Sequence, residues 1–251
     1  METAKSLSTK PSKTNYPWIR RSRVVVSSDR SIPNVEYEIA PFDDHNPPVA
    51  KDIAYLHRTL LPTSPASKLG LDFLASFYYS TLVKDGHIFG CVAYVDGKPS
   101  GLWVGTKDSN GFMQTAIRRH FIRLIMVLVW SILKSPRRIV GIFEAWQLLR
   151  AREDSDELIG ETLTIATMSA FRSRAFKAAT GVFISQDLAY TGQVEFCRRA
   201  VPIVAMFVDQ DNVRSQQFNE ERGWKRTESS ADGWKTPSFE YRACPEDFFS
   251  D

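Results

Sequence analysis

The residues best suited to chemistry lie where an apolar strand runs into a basic helix. Residues 163–168 have the composition of a strand, and Arg172, Arg174 and Lys177 follow at the start of a helical segment. A turn that opens a helix presents unpaired backbone N–H groups and the positive end of the helix dipole, so it can bind an anion such as a phosphate. The alternative interpretation is a basic first turn whose charges face only solvent.

Side-chain arrangements for other chemistries do not occur in the sequence. No Ser/His/Asp or Cys/His spacing typical of nucleophilic catalysis is found, and His87 and Cys91 fall in a strand pattern that favours structural roles. The chain has three widely spaced cysteines, Cys91, Cys197 and Cys244, so neither a disulfide scaffold nor a zinc site is predicted. We therefore expect no metal and a reducing, cytoplasmic compartment.

Length and charge narrow the class of protein. The chain has 251 residues, 43% hydrophobic and 24% charged, which suffices for one domain with its own core. Its 32 Lys and Arg against 29 Asp and Glu leave a net charge of +3, too balanced for a nucleic-acid-binding protein. Residues 1–22 are polar and basic without the apolar segment of a secretory signal. We expect a disordered tail there, followed by a single domain over residues 23–251.

Apolar periodicity predicts the elements that must position the basic turn. Helices are predicted near residues 48–60, 67–84, 173–199 and 212–222, the third broken near Gly181 or Gly192. The predicted strands are residues 35–39, 87–95, 102–106, 163–168, 201–208, 224–229 and 238–243. The Asp96-Gly97 turn predicts a hairpin, and the helical crossovers require parallel neighbours. The sequence therefore predicts an α/β fold with a mixed sheet.

The segment over residues 212–224 resembles the last helix motif of the GNAT N-acyltransferase superfamily. That motif is roughly Asn-x-x-Ala-x-x-Phe-Tyr-x-x-x-Gly-Phe, and a buried strand precedes it here as in the family. Five positions carry the resemblance: matches at Asn212, Phe218 and Gly223, a small residue at Ser215 and an aromatic one at Trp224. The order of elements over residues 35–243 also fits. The resemblance implies a GNAT-like, mostly antiparallel twisted sheet flanked by helices, with a helical hairpin inserted between strands.

The same resemblance implies acetyl-CoA or another acyl-CoA as the donor substrate. Residues 163–177 are similar to the family's acyl-CoA motif, in which Arg/Gln-x-x-Gly-x-Gly/Ala opens a helix. Arg172 matches that motif, whereas Ala175 and Lys177 replace its small residues. The positions that correspond to acyl-CoA contacts are Ile165, Ala166, Thr167, Arg172, Ser173, Arg174, Ala175, Phe176, Lys177, Asn212, Ser215 and Phe218.

Catalysis in the family implies direct attack of an amine on the thioester, with strand amides over residues 165–167 polarising the carbonyl. Glu161 is the predicted base, acting directly or through water, and a solvated carboxylate at a strand end is the alternative. Many members protonate the departing thiolate with a tyrosine, where this chain has Asn219. A thiol with a pKa of ~8.5 leaves without much help.

These implications favour an acyl-CoA-dependent N-acyltransferase that modifies the amine of a small-molecule or sugar acceptor. Because Asn219 and the altered turn depart from the family motif, the alternative is a catalytically weakened module. Such a module would keep the fold for binding or regulation and would use its insert to contact a membrane or a protein partner.

Residues 109–160 are the predicted insert, with helical patterning and a turn near Ser135 and Pro136. The apolar run at 121–133 is shorter than the ~18 residues that a transmembrane helix needs, and basic residues flank it. One interpretation is a hairpin that packs on the sheet or forms a homodimer through residues 112–152.

Two further interpretations of the insert remain open. It could be an interfacial element at the inner membrane face, with apolar side chains among the headgroups and its basic residues on anionic lipid. It could instead form an acceptor or acyl-chain groove bounded by Met126, Trp130 and Trp146.

Overall fold

The computed structural model describes residues 35–151, 159–230 and 237–249, and the side chains within 35–145, 159–227 and 237–249. The predicted tail, residues 1–22, lies outside them. Within these ranges seven strands form one sheet in the order β1-β2-β3-β4-β5-β7-β6. The strands are β1 (Tyr37–Phe42), β2 (Phe89–Val95), β3 (Lys98–Thr106), β4 (Ile159–Thr167), β5 (Ile203–Asp209), β6 (Lys225–Ser230) and β7 (Ser238–Ala243).

Helices cover both faces of the sheet. The described ranges contain α1 (Ala50–Leu60), α2 (Pro65–Lys68), α3 (Leu71–Phe73), α4 (Phe112–Arg119), α5 (Phe121–Lys134), α6 (Arg138–Ala151), α7 (Arg174–Thr180), α8 (Ile184–Arg198) and α9 (Val213–Glu220). Helix α3 continues directly as a π-helix (Leu74–Leu82), and 3₁₀ turns occupy Ser169–Arg172 and Pro245–Phe249.

The sheet is mixed, as the sequence predicts. Strands β1 to β4 pair antiparallel, β5, β7 and β6 pair antiparallel, and β4 and β5 form the parallel pair. Helices α7 and α8 make the crossover that a parallel pair requires. The predicted hairpin turn joins β2 to β3, with positive φ at Asp96 (50°) and Gly97 (70°). The predicted fold class is thereby confirmed.

Alternation along the central strands divides the core into two layers. Trp103 belongs to the layer under α8, while its neighbours Leu102 and Val104 belong to the layer under α1 and the π-helix. Gly192 lies inside α8, and a Cβ there would stand 2.3 Å from Trp103 Cε2. The predicted helix break is at Gly181 instead, whose φ of +67° ends α7. Gly192 therefore serves close packing of helix on sheet.

The second predicted helix, residues 67–84, is interrupted. Gly70 adopts a φ of +98°, which separates α2 from α3, and α3 continues directly as the π-helix. A side chain at Gly70 would also meet the Arg138 guanidinium, because α6 packs against this corner. The predicted inward residues Phe73, Phe77 and Leu82 are nevertheless buried.

The insert between β3 and β4 contains the predicted hairpin, preceded by a further helix. Helix α4 leads into α5, and α5 and α6 turn at residues 135–137. Strand β4 begins at Ile159, so the predicted boundary at residue 160 falls two residues inside the strand. No helix among the described residues is long and apolar enough to cross a bilayer.

Candidate active site

Strands β4 and β5 separate after a short parallel ladder. Their paired residues are Ile159 with Ile203, Gly160 with Val204 and Glu161 with Ala205. Beyond that last pair, β4 continues beside β3 and β5 continues beside β7. The two strands thus form a splay, the wedge between β4 and β5 beyond Glu161 and Ala205, and Glu161 marks its apex.

Backbone geometry decides which β4 amides point into the splay. The Met168 N–H donates to the Ser100 carbonyl, and the β3–β4 register continues unbroken from there to the Leu102–Ala166 pair. Because antiparallel pairs alternate between bonded and non-bonded, Ala166 directs its N–H toward β3. The N–H groups of Ile165 and Thr167 therefore point to the opposite edge, into the splay. Two of the three predicted carbonyl-polarising amides have the required direction, and Ala166 does not.

Glu161 is held at the apex by a residue from the insert. Its carboxylate is 3% exposed, and the Ser109 hydroxyl donates a 2.6 Å hydrogen bond to Oε2. The Ser109 backbone N–H in turn donates to the Ile159 carbonyl, which fixes the serine beside the start of β4. Glu161 is therefore a buried acceptor, not the solvated carboxylate of the alternative interpretation.

Glu161 and the Ile165 and Thr167 amides belong to the same strand, but they are not in contact. Glu161 pairs with Thr106, on the α1 side of the sheet, and a bulge in the β3–β4 register separates it from Thr164. Four residues of strand place Ile165 about 13 Å further along β4. The neighbouring Thr162 hydroxyl is buried and has no hydrogen-bond partner among the described residues. A proton would reach Glu161 over that distance only through water.

The basic turn lies at the open end of the splay. Arg172, Ser173, Arg174 and Ala175 are exposed there. Ser173 caps α7, since its Oγ accepts from the Phe176 N–H at 3.1 Å and its carbonyl accepts from the Lys177 N–H at 3.2 Å. The N–H groups of Arg174 and Ala175 have no hydrogen-bond partner among the described residues.

Two details of this turn bear on the predicted acyl-CoA contacts of Ala175 and Phe176. Ala175 has negative φ within α7, so alanine causes no backbone strain at this position, where the family motif has glycine. Phe176 is half-buried, stacks edge-on against Phe171 with centroids 5.2 Å apart and packs on the core. Its side chain anchors the helix and does not face the open turn.

A ladder of aromatic and cationic side chains joins the two sides of the splay. The Lys177 ammonium lies 4.6 Å from the centre of the Phe183 ring, and Phe183 meets Phe218 of α9 edge-on at 6.3 Å. The Arg222 guanidinium lies 3.6 Å from the centre of the Phe218 ring. Lys177, predicted as a phosphate contact, is therefore engaged with an aromatic ring. The sequence does not single out Phe183, because its contact with Phe218 joins residues that are 35 positions apart.

The last-helix motif has a local structural reason at most of its positions. The Asn212 side chain caps α9 by accepting from the Ser215 N–H at 3.2 Å, and Gly223 adopts a φ of +83° after the helix. Phe218 is half-buried in the ladder, and Asn219, which stands at the tyrosine position, is 5% exposed. Asn212 and Ser215 thus define the start of α9, while their predicted contacts with acyl-CoA stay predictions.

Other kinds of site find little support in the described part of the chain. No group of three or more His, Cys, Asp or Glu residues there could hold a metal ion. A cavity of about 210 Å³ lies at the far edge of the sheet, lined by Glu36, Glu38, Tyr94 and Gly97. Strands β3 and β4 lie between the β1–β2 edge and the splay, so this cavity is separate from the candidate site.

Comparison with known proteins identifies the architecture. No protein-family sequence model and no curated protein sequence matches the chain. An N-acetyltransferase from Staphylococcus aureus superimposes with a TM-score of 0.50 at 11% identity, over 84% of this chain and 99% of that one.

Two further solved structures have similar architecture. A protein from Acinetobacter baylyi assigned as an acetyltransferase gives a TM-score of 0.50 at 11% identity, over 84% and 93% of the two chains. One from Desulfovibrio desulfuricans, assigned to the GNAT family, gives 0.48 at 8% identity over 84% and 99%. Superposition on the Staphylococcus aureus and Acinetobacter baylyi structures shows that the chain has the fold of these acetyltransferases, in agreement with the GNAT-like fold that the sequence predicts.

Proposed function

We propose that this protein is an acyl-CoA-dependent N-acyltransferase, moving an acetyl or other acyl group to the amine of a small-molecule or sugar acceptor. The observation that carries the proposal is the splay. Its β4 edge presents the Ile165 and Thr167 amides, and its open end leads into a turn with exposed Arg172 and Arg174. A strand edge that lacks a partner can bind an extended amide-containing chain, such as the pantetheine arm of CoA.

The basic turn supports the phosphate end of that substrate. The exposed Arg172 and Arg174 guanidinium groups supply charge, and the Arg174 and Ala175 amides supply donors for a diphosphate. An acyl-CoA bound this way would run along β4 with its thioester toward the apex and Glu161.

The residues at the splay would then divide the chemistry between them. The amine nitrogen bonds to the thioester carbonyl carbon, and the Ile165 or Thr167 amide stabilises the charge that develops on the oxygen. The carbon–sulfur bond breaks, giving an amide and the CoA thiolate. The proton lost by the amine passes through water to Glu161, and the thiolate takes its proton from solvent.

A second candidate function is a GNAT-fold module with weakened catalysis. Asn219 cannot act as the tyrosine would, and the Lys177 ammonium contacts Phe183 instead of the open turn. Such a module would bind acyl-CoA, or a partner through its insert, without efficient turnover. Three free cysteines, Cys91, Cys197 and Cys244, support a cytoplasmic location for either function.

Calorimetric titration with acetyl-CoA and CoA, combined with assays on a panel of amines, separates the two candidates. Binding together with acylation of any amine supports the transferase. Binding without turnover on the panel supports the weakened module. Absence of binding at millimolar acetyl-CoA would remove the transferase and would leave only a module that contacts a partner through its insert.

A further inference from the structure

Helix α5 has its apolar side turned outward. Its single fully buried residue is Ser131, whose hydroxyl donates to the Leu69 carbonyl. The opposite side is an apolar stripe at helical spacing, with side chains 41–74% exposed: Ile122, Ile125, Met126, Val129, Trp130 and Leu133. An amphipathic helix that only covered a core would show the reverse arrangement.

Helix α6 repeats the arrangement of α5. Its inner side holds Gly141, where a Cβ would stand 2.8 Å from Lys68 Cβ, and Glu144, which pairs with the Lys68 ammonium at 2.6 Å. Its outer side exposes Ile139, Val140 and Phe143, each more than half exposed. We call these three residues together with the α5 stripe the outer face.

Polar contacts on the inner side hold the hairpin in this orientation. Arg138 Nη1 donates to Ser131 Oγ at 2.9 Å, and Lys134 pairs with Asp72 of α3 at 2.9 Å. Leu124 and Leu128 complete the inner side against the core. Because both polar and apolar groups secure the inner side, the outer face cannot turn inward without breaking them.

The charged residues within the segment that carries most of the outer face are all basic. Residues 112–138 contain Arg118, Arg119, Arg123, Lys134, Arg137 and Arg138 and no Asp or Glu. In α6, Glu144 is buried and paired with Lys68. The next acidic residue in the sequence is Glu153, which follows the end of α6. Arg118 and Arg137 are exposed and form no ion pair within the described residues.

We propose that the outer face docks on the surface of a bilayer that contains anionic lipid. Helix α5, with 14 residues, is about 21 Å long, shorter than the roughly 30 Å of a hydrocarbon core. The hairpin therefore lies in the plane of the interface. Its apolar stripe reaches the boundary between the headgroups and the acyl chains, and its arginines contact lipid phosphates. This attachment neither requires nor excludes the proposed acyl transfer.

The charge pattern disfavours the other occupants of this face. A symmetric dimer through the outer face would bring the exposed Arg118 and Arg137 of two copies together, and residues 112–138 supply no carboxylate to face them. The chain's own tail, residues 1–22, is also basic, with Lys5, Lys10, Lys13, Arg20 and Arg21. A bilayer with anionic lipid can bind both parts of the face, since its acyl chains bury the apolar side chains and its headgroups pair with the cations.

Vesicle co-sedimentation of the full chain, without acyl-CoA or acceptor, tests the proposal. The wild type should sediment with vesicles of phosphatidylcholine and phosphatidylglycerol, at least tenfold less with phosphatidylcholine alone, and less as salt increases. The Met126→Gln/Trp130→Gln variant should lose at least tenfold in affinity, and Arg118→Gln/Arg137→Gln roughly fivefold for each charge removed.

Matched controls remove exposed side chains of the same kind from α1. Tyr55→Gln and Lys51→Gln/Arg58→Gln should bind vesicles as the wild type does, since these residues are exposed away from the insert. Circular dichroism verifies that each variant is folded. All the substituted residues are exposed, so folding should be retained.

Three results would overturn the proposal. The wild type could remain in the supernatant with both kinds of vesicle, or the α1 controls could lose as much binding as the insert variants. Sedimentation equilibrium could instead show a wild-type dimer that Met126→Gln/Trp130→Gln dissociates, with no vesicle binding, which would make the face a self-interface. Acetyl-CoA binding measured on the same variants is expected to be unchanged, so failure here leaves the transferase proposal standing.

Discussion

The Ser109 hydroxyl and the Glu161 carboxylate, 52 residues apart in sequence, form a 2.6 Å hydrogen bond at the apex where β4 and β5 separate. Ser109 belongs to the first residues after β3, where the insert begins, so the insert and the candidate base are in direct contact. A hydrogen bond to a charged group contributes about 1.5–3 kcal/mol, which makes this pair a fixed part of the site.

The Glu161→Gln variant tests the proposed base. Glutamine retains the shape and can still accept the Ser109 hydrogen bond, but it cannot take a proton. We expect kcat to fall by about 10²–10⁴ while acetyl-CoA affinity stays within twofold or so, because only proton transfer is removed. Steady-state kinetics and calorimetric titration measure the two quantities. A kcat within a few-fold of wild type would show that the base lies elsewhere.

The double variant Arg172→Gln/Arg174→Gln tests the phosphate site at the open end of the splay. Both side chains are exposed, so the fold should not change. We expect the Kd for acetyl-CoA to rise about tenfold, equivalent to roughly 1.4 kcal/mol, because two cations near the diphosphate are lost. Arg58→Gln on α1 is the matched control. Equal affinities of the double variant and the control would mean that the turn does not hold phosphate.

Sequence reasoning succeeds at this site where the cause is local. Asn212 caps α9 and Gly223 ends it with positive φ, and both preferences are properties of a few consecutive residues. The hairpin at Asp96 and Gly97 is predictable for the same reason. The Ser109–Glu161 bond has no such signal, because it depends on how the chain returns to the sheet after the insert, 52 residues later.

The splay and the orientation of the insert are also properties of the tertiary structure. Nothing in the composition of β4 or β5 marks Glu161 and Ala205 as their last pair, since both strands continue with ordinary strand residues. Apolar patterning alone leaves open whether the α5 stripe packs on the core, forms a dimer, meets a membrane or lines a groove. In the structure the Ser131 hydroxyl bonds to the Leu69 carbonyl and the stripe faces outward, and that acceptor is 62 residues away in sequence.

Two glycines distinguish helix propensity from packing. Gly181→Ala forces alanine into positive φ in an open environment and should cost about 1 kcal/mol of unfolding free energy. Gly192→Ala improves helix propensity by about 1 kcal/mol, but its Cβ would stand 2.3 Å from Trp103 Cε2. Overpacking of that kind costs about 1–3 kcal/mol, so we expect a net loss and a change in near-ultraviolet circular dichroism. Urea unfolding measures both variants, and a stabilised Gly192→Ala would contradict the packing argument.

His57 makes the stability of the fold depend on pH. It is 2% exposed, with its ring nitrogens bonded to the Tyr79 hydroxyl and, at 3.1 Å, to Ser64 Oγ, and burial lowers its pKa to about 4. Between pH 6.5 and about 4 the unfolded chain binds a proton at this residue and the folded chain does not. The contribution of neutral His57 to the unfolding free energy should therefore be fully present above pH 6.5. Below that pH the unfolding free energy should fall by up to about 1.4 kcal/mol per pH unit.

The His57→Gln variant isolates this contribution. Urea unfolding at several pH values between 5 and 6.5, above the range where carboxylates titrate, should show a shallower slope in the variant than in the wild type. Burial also lowers the pKa of His87, so His87→Gln is the matched control and should retain most of the wild-type slope. If His57→Gln kept the full slope while His87→Gln abolished it, the buried histidine of α1 would not be the group that titrates.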